Sequence, residues 1–260
     1  MLAKAWILTR REIRGWVRSP FLALSFVIRP VLWVFVFGGA LNAAFSGGSS
    51  TANLGGASDY FSFLAVGMLS AMPMLLATRA GASLFQDRAG GYLDRLLVAP
   101  VSRTTIALTK VLGTVLFGLS QSIILLILAI PFGLHVSNLS AASVLASMLG
   151  VFLLAWGYSA FFMILTFRIK RWADMQLISS LNFPIMLFSK VFYPSSRLPS
   201  WMVTFVQYNP VSFSADISRT MMFGTDAALT SSTVVVGFAV LFAFALLMSV
   251  LVLVLAREWL

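Results

Sequence analysis

Long apolar runs separated by short polar connections set the frame of this chain. About 20 apolar residues in a helix cross the roughly 30 Å hydrocarbon core of a bilayer. Runs of that order occur six times, at about Phe21–Leu41, Tyr60–Thr78, Ile106–Ile130, Ala142–Phe167, Met175–Phe192 and Ser232–Leu255. They are continuously apolar rather than alternating, which predicts helices and not the strands of a closed barrel. The expected fold is therefore an all-α membrane protein of six transmembrane helices, a single domain over residues 1–260 without an internal repeat.

The polar connections add three elements. Over residues 1–18, Leu2, Trp6, Ile13, Trp16 and Val17 fall on one side and Lys4, Arg11, Arg14 and Arg18 on the other, the pattern of a helix lying on the membrane surface. Between spans two and three, residues 84–103 form a polar stretch in which Phe85, Tyr92 and Leu96 share one face at helical spacing, while Asp87 with Asp94 and Arg88 with Arg95 occupy others. Neither lipid nor water explains that apolar side, so a partner protein is expected to cover it. Between spans five and six, over residues 193–226, Pro194, Pro199 and Pro210 punctuate the chain. Leu198–Val206 is apolar but too short to span, which predicts short re-entrant or interfacial outer helices. Residues 46–56 are small and polar and read as a flexible linker.

Composition agrees with a bilayer as solvent: 60% of residues are hydrophobic, 10% are charged, and the mean hydropathy is +0.95. The net charge of +10 is informative through its distribution. Basic residues precede span one, surround the connection between spans two and three, and recur as Arg168, Lys170 and Arg171 between spans four and five. The connections 42–59 and 133–141 carry no Lys or Arg. The positive-inside rule then places both termini and residues 84–103 in the cytoplasm. No cleaved signal peptide is expected, because no small-residue cleavage site precedes the long first run.

Catalytic patterns are missing from the sequence. Its one His, His135, excludes a paired-His zinc motif and reads as a solvated turn residue. There is no Gly-x-Ser-x-Gly elbow, no Cys, and no Lys after a phosphate-cradling Gly-rich run, so the chain is not expected to hydrolyse ATP or act as an enzyme. Ionisable residues within the runs are Arg29, expected to snorkel toward cytoplasmic headgroups, Asp174 at the start of span five, and Lys190, expected to reach the outer interface. A transport surface would have to be built from soft and small polar groups: Phe63, Met68 and Met72 of span two, with Asn182, Phe183 and Met186 of span five. Each of these also fits ordinary helix packing. Pro73 and Pro184 mark breaks at which irregular backbone could line a cavity.

Three motifs, taken in order, carry a resemblance. They are Asp87-Arg88-x-x-Gly91-Tyr92-Leu93-x-x-Leu96-Leu97-Val98-Ala99-Pro100-Val101-Ser102-Arg103; Arg18-Ser19-Pro20; and Phe192-Tyr193-Pro194 followed by Leu198-Pro199-x-Trp201, Asn209-Pro210, and Asp216 with Arg219. With them the chain resembles the membrane subunit of ABC-2 type exporters, a family that includes daunorubicin-resistance-like efflux permeases and relatives that export polysaccharides or lipids. Tyr92 stands where the family pattern has a small or β-branched residue. The resemblance implies a homodimeric permease in the plasma or inner membrane, with no nucleic-acid partner. Each copy would dock a coupling helix into a separate ATP-binding subunit, which would hold ATP and Mg²⁺ and perform the hydrolysis. By the same analogy Phe85, Asp87, Arg88, Gly91, Tyr92, Leu96, Pro100 and Arg103 would couple the two proteins. Spans one, two and five would line the export path for hydrophobic or amphipathic compounds, or alternatively for a lipid or lipid-linked polysaccharide.

Overall fold

The computed structural model describes residues 28, 31–40, 54–98, 102–194 and 198–259, and the regular structure among them is helical. In chain order the α-helices are α1 (Tyr60–Leu76), α2 (Arg79–Ala89), α3 (Tyr92–Val98), α4 (Arg103–Ala129), α5 (Ala141–Thr166), α6 (Trp172–Ser180), α7 (Asn182–Leu187), α8 (Ser200–Tyr208), α9 (Pro210–Phe223) and α10 (Ser232–Trp259). A π-helix, Leu32–Gly38, precedes them. Among the described residues four helical segments are long and apolar enough to cross a membrane: Tyr60–Ala89, Arg103–Phe132, Ala141–Thr166 and Ser232–Glu258. They correspond to predicted spans two, three, four and six. The surface helix expected over residues 1–18, Arg29, the linker residues 46–53 and Pro100 lie outside the described residues.

Span five differs from expectation. It is divided into α6 and α7, of nine and six residues, each too short at 1.5 Å per residue to cross alone. Pro184 has no N–H for the Ser180 carbonyl, and its ring crowds the preceding turn, so the helix parts at Leu181. The far end of α7 is closed from elsewhere in the chain. Asn209 donates from Nδ2 to the Ile185 and Phe188 carbonyls at 2.7 and 2.6 Å, and its Oδ1 accepts from Val211 N–H at 2.9 Å. That acceptance makes Asn209 the N-cap of α9, with Pro210 in the first turn where no N–H is needed.

Helix α1 is the axis of the bundle and is buried along nearly its whole length. Asp59 starts it, its Oδ1 accepting from Ser62 N–H at 2.8 Å. Inside it Pro73 leaves the Leu69 carbonyl without its usual i+4 donor, and the Ser122 hydroxyl of α4 supplies one at 2.6 Å. Such an approach needs a small residue one turn earlier: a Cβ on Gly118 would stand 2.7 Å from Pro73 Cβ. In lipid, apolar burial does not drive helices together, so close packing and interhelical hydrogen bonds have to. Further bonds of this kind join Ser70 to Ser214 at 2.8 Å and Trp156 Nε1 to Ser249 at 2.8 Å.

Candidate functional site

The polar stretch between spans two and three forms two helices rather than one. Gly90-Gly91 separates α2 from α3, and Gly91 has φ of +65°, a left-handed value that most side chains resist. The continuous helical face expected of Phe85, Tyr92 and Leu96 is thereby broken. Their apolar side is covered by this chain's own residues. Leu84, Leu93 and Leu96 pack with Ile106, Val111 and Val115 of α4, with Met163 of α5 and Phe167 at its end, and with Val252 of α10; Tyr92 lies against the same cluster. The Phe85 ring lies 5.6 Å from that of Trp172.

The charged residues of this segment hold it to its neighbours. Asp87 is buried against Lys110 of α4, Oδ2 to Nζ 2.6 Å, and the same ammonium donates to Ser83 at 2.6 Å. Taking both charges out of water is costly, so the pair is stable only because each charge has the other at contact distance. Arg88 donates to the Phe167 carbonyl at 3.3 Å, and Arg103 to the Arg257 carbonyl at 3.4 Å. Threads therefore run from one short segment to spans three, four and six. What α2, α3 and their link present outward includes Gln86, Ala89, Gly90, Asp94, Arg95 and Val98, the last 89% exposed.

Deeper in the bundle a cavity of about 350 Å³ lies among Trp33, Met72, Leu75, Leu76, Thr78, Gln121, Ser179, Ser180, Asn182 and Phe183. Elements of spans one, two, three and five contribute to it. Its floor follows the helix break: Ser180 and Asn182 flank the interruption made by Pro184. Of the six residues named from the sequence as a transport surface, Met72, Asn182 and Phe183 line this cavity. Met68, Met186 and Phe63 are packed in the main core instead, Phe63 beside the second cavity described below. Gln121 was not anticipated, although a lone amide within the apolar run Ile106–Ile130 was a readable signal.

Two buried amides in this wall lack full pairing. Asn182, 6% exposed, donates from Nδ2 to the Leu75 carbonyl at 3.1 Å and to Thr78 Oγ1 at 3.5 Å, but its Oδ1 has no partner among the described residues. Gln121, 2% exposed, has no partner for Nε2 among them. Buried polar atoms are nearly always satisfied in native proteins, so a pair of exceptions in one wall calls for an explanation.

At the Asp59 end of α1 stands a polar cluster. Arg219 of α9, 5% exposed, donates to the carbonyls of Phe63 at 3.0 Å, Lys190 at 2.7 Å and Val191 at 2.9 Å, and its guanidinium covers the Phe63 ring at 3.5 Å. Lys190, expected to reach the outer interface, is ion-paired with Asp216. Tyr60 donates its hydroxyl to the Phe192 carbonyl at 2.8 Å. Beside them is a second cavity of about 280 Å³. His135, in the exposed turn where the sequence put it, approaches Asp59 at 3.4 Å. Partial burial works to raise the Asp59 pKa, but hydrogen bonds from Ser62 N–H, Ser62 Oγ, Ser58 Oγ and His135 outweigh it and hold the carboxyl below its ordinary value.

Comparison with known proteins agrees with this architecture. The chain is 29% identical over 231 residues to the ycf38 transport permease of Porphyra purpurea, covering 88% of this chain and 76% of that one. The corresponding protein of Cyanophora paradoxa is 24% identical over 220 residues, covering 84% and 73%. The daunorubicin resistance ABC transporter permease protein DrrB1 of Streptomyces coeruleorubidus is 22% identical over 219 residues, covering 83% and 73%. The sequence profile of the ABC-2 type transporter family matches residues 3–223, and the chain belongs to that family as a multi-pass membrane protein of transport-permease type.

Proposed function

We propose that the chain is the permease subunit of an ATP-driven exporter of hydrophobic or amphipathic compounds, working as a pair of copies in the plasma or inner membrane with cytoplasmic termini. A separate ATP-binding subunit holds ATP and Mg²⁺ and supplies the hydrolysis. The observation that carries this reading is the cavity of about 350 Å³, lined by no charged side chain among the described residues, and its link to Gly91 through α2. Only Ala77 and Thr78 separate α1 from α2. A push on α2 and α3 from the ATP-binding subunit therefore reaches Met72, Leu75, Leu76 and Thr78 in the cavity wall along the roughly three turns of α2 and the link at Ala77 and Thr78. The surface receiving that push is Gln86, Asp94, Arg95 and Val98, because Leu93 and Leu96 are occupied with the chain's own core.

Reconstituting the permease with its ATP-binding subunit in proteoliposomes tests this. Amphipathic compounds are expected to stimulate ATP hydrolysis and to accumulate on the far side, and Met72→Trp is expected to abolish both responses. A flat response to a broad panel of such compounds would overturn the reading in favour of export of a lipid or lipid-linked polysaccharide.

A further inference from the structure

We infer that Gln121 and Asn182 form a specificity-determining pair that selects neutral ligands carrying a hydrogen-bond acceptor next to a donor, such as a carboxamide or a hydroxy-ketone, on an apolar body. The inference rests on the proposal that the cavity is part of the export path, and it names the chemistry which that path prefers.

Three observations lead to it. First, the free capacities are complementary. Gln121 Nε2 is an unused donor and Asn182 Oδ1 an unused acceptor among the described residues, and both residues line the same cavity. The Asn182 orientation is fixed, because its Nδ2 must face the Leu75 carbonyl; turning the amide over would set two oxygens against each other. A ligand carbonyl accepting from Gln121 and a ligand N–H or O–H donating to Asn182 would satisfy both at once.

Second, among the described residues no Asp, Glu, Lys, Arg or His lines this cavity; its polar members are Thr78, Gln121, Ser179, Ser180 and Asn182. An ammonium or carboxylate entering it would lose its hydration without a counter-charge, a heavy penalty in a poorly solvated site. The cavity therefore discriminates against ions as well as for paired neutral groups. The remainder, Trp33, Met72, Leu75, Leu76 and Phe183, is apolar, with a thioether and aromatic rings that conform to varied shapes.

Third, Gln121 has no other assignment among the described residues, whereas Asn182 is held in place by its bonds to Leu75 and Thr78. Gln121 is not used to join helices: the bond that closes the Pro73 break comes from its neighbour Ser122. A buried amide that stabilises neither its own helix nor the next one is a cost to the folded state, removable by substitution unless it meets a ligand.

Equilibrium binding of radiolabelled octanamide, octane and octylammonium to the full chain in nanodiscs, corrected with empty nanodiscs, tests this. The expected order is octanamide well above octane, with octylammonium weakest. Gln121→Leu is expected to weaken octanamide about tenfold, leave octane unchanged, and raise the melting temperature by removing an unsatisfied donor. A structural role for Gln121 predicts instead a lowered melting temperature. Gln121→Glu, which keeps the shape, provides the check should the Leu variant fail to insert, and it should lose octanamide as well. Equal binding of octanamide and octane, unaltered octanamide binding in both variants, or octylammonium binding as tight as octanamide would overturn the inference while leaving the cavity as a pathway. Absence of all three ligands above the empty-nanodisc level would overturn the inference and the pathway together.

Discussion

The Arg219 guanidinium lies 3.5 Å above the Phe63 ring and donates to the carbonyl of the same residue at 3.0 Å. Its other bonds go to the Lys190 and Val191 carbonyls, in the turns that follow α7. One side chain thus fastens α9 to α1 and to the end of the divided span. No ammonium can copy this, since a planar fork is needed to serve three acceptors in fixed directions. Arg219→Lys is expected to lower stability by about 2–3 kcal/mol by orphaning at least one buried carbonyl, measured as thermal unfolding in detergent. A melting temperature equal to that of the unaltered protein would show that the guanidinium bonds are not needed.

Pro73 and Ser122 should behave as a coupled pair. Ser122→Ala leaves the Leu69 carbonyl without a donor and is expected to cost about 1–3 kcal/mol. Pro73→Ala restores the helix's own N–H, so in that background the same change should cost much less. A double-mutant cycle on melting temperatures reads the difference. Strict additivity of the two changes would contradict the pairing.

Leu96 and Val98 separate folding from docking. Leu96 is 9% exposed and Val98 is 89% exposed, two residues along the same short helix. Leu96→Asp places a carboxylate in the core shared with Val252 and Ala256 and is expected to lower the melting temperature sharply. Val98→Asp should leave melting unchanged and reduce co-purification of the ATP-binding subunit. The reverse pattern would mean that the buried face, and not the exposed one, meets the partner.

Acidification should act through Asp59. Its ordinary value is 3.8 and its folded value lies lower, so its contribution is fully present above the ordinary value. That contribution fades as pH falls through the depressed one. Asn retains the capping oxygen but carries no charge. Between about pH 5 and pH 3 the unaltered protein should therefore lose more stability than Asp59→Asn, followed by thermal melting at each pH. Parallel losses in the two proteins would remove Asp59 from the account.

The long spans were legible because an uninterrupted apolar run of that length has few other homes. Pro184 announced the division of span five, yet the run around it is apolar enough to read as one helix. Gly90-Gly91 likewise marked the end of α2, while the spacing of Phe85, Tyr92 and Leu96 suggested a continuous face. Part of the cover for that face comes from Val252 and Ala256, more than 150 positions away, and local pattern carries no trace of such a contact. Arg219 was visible as a charge in a proline-punctuated connection, but its burial depends on carbonyls freed by turns that hydropathy does not encode. Gln121 stood out as a lone amide in an apolar run; its neighbours across the cavity did not.

Asn209 holds the last turn of the divided span with one end of its carboxamide and the first turn of α9 with the other. Those two pieces are therefore yoked. A tilt of the Asn182–Leu187 stub would tow Pro210–Phe223 along, and a widening at Asn182 would reach the end of the bundle where Lys190 and Asp216 clasp. In the proposed export cycle a solute's departure would then be synchronised with its seat by a single joint.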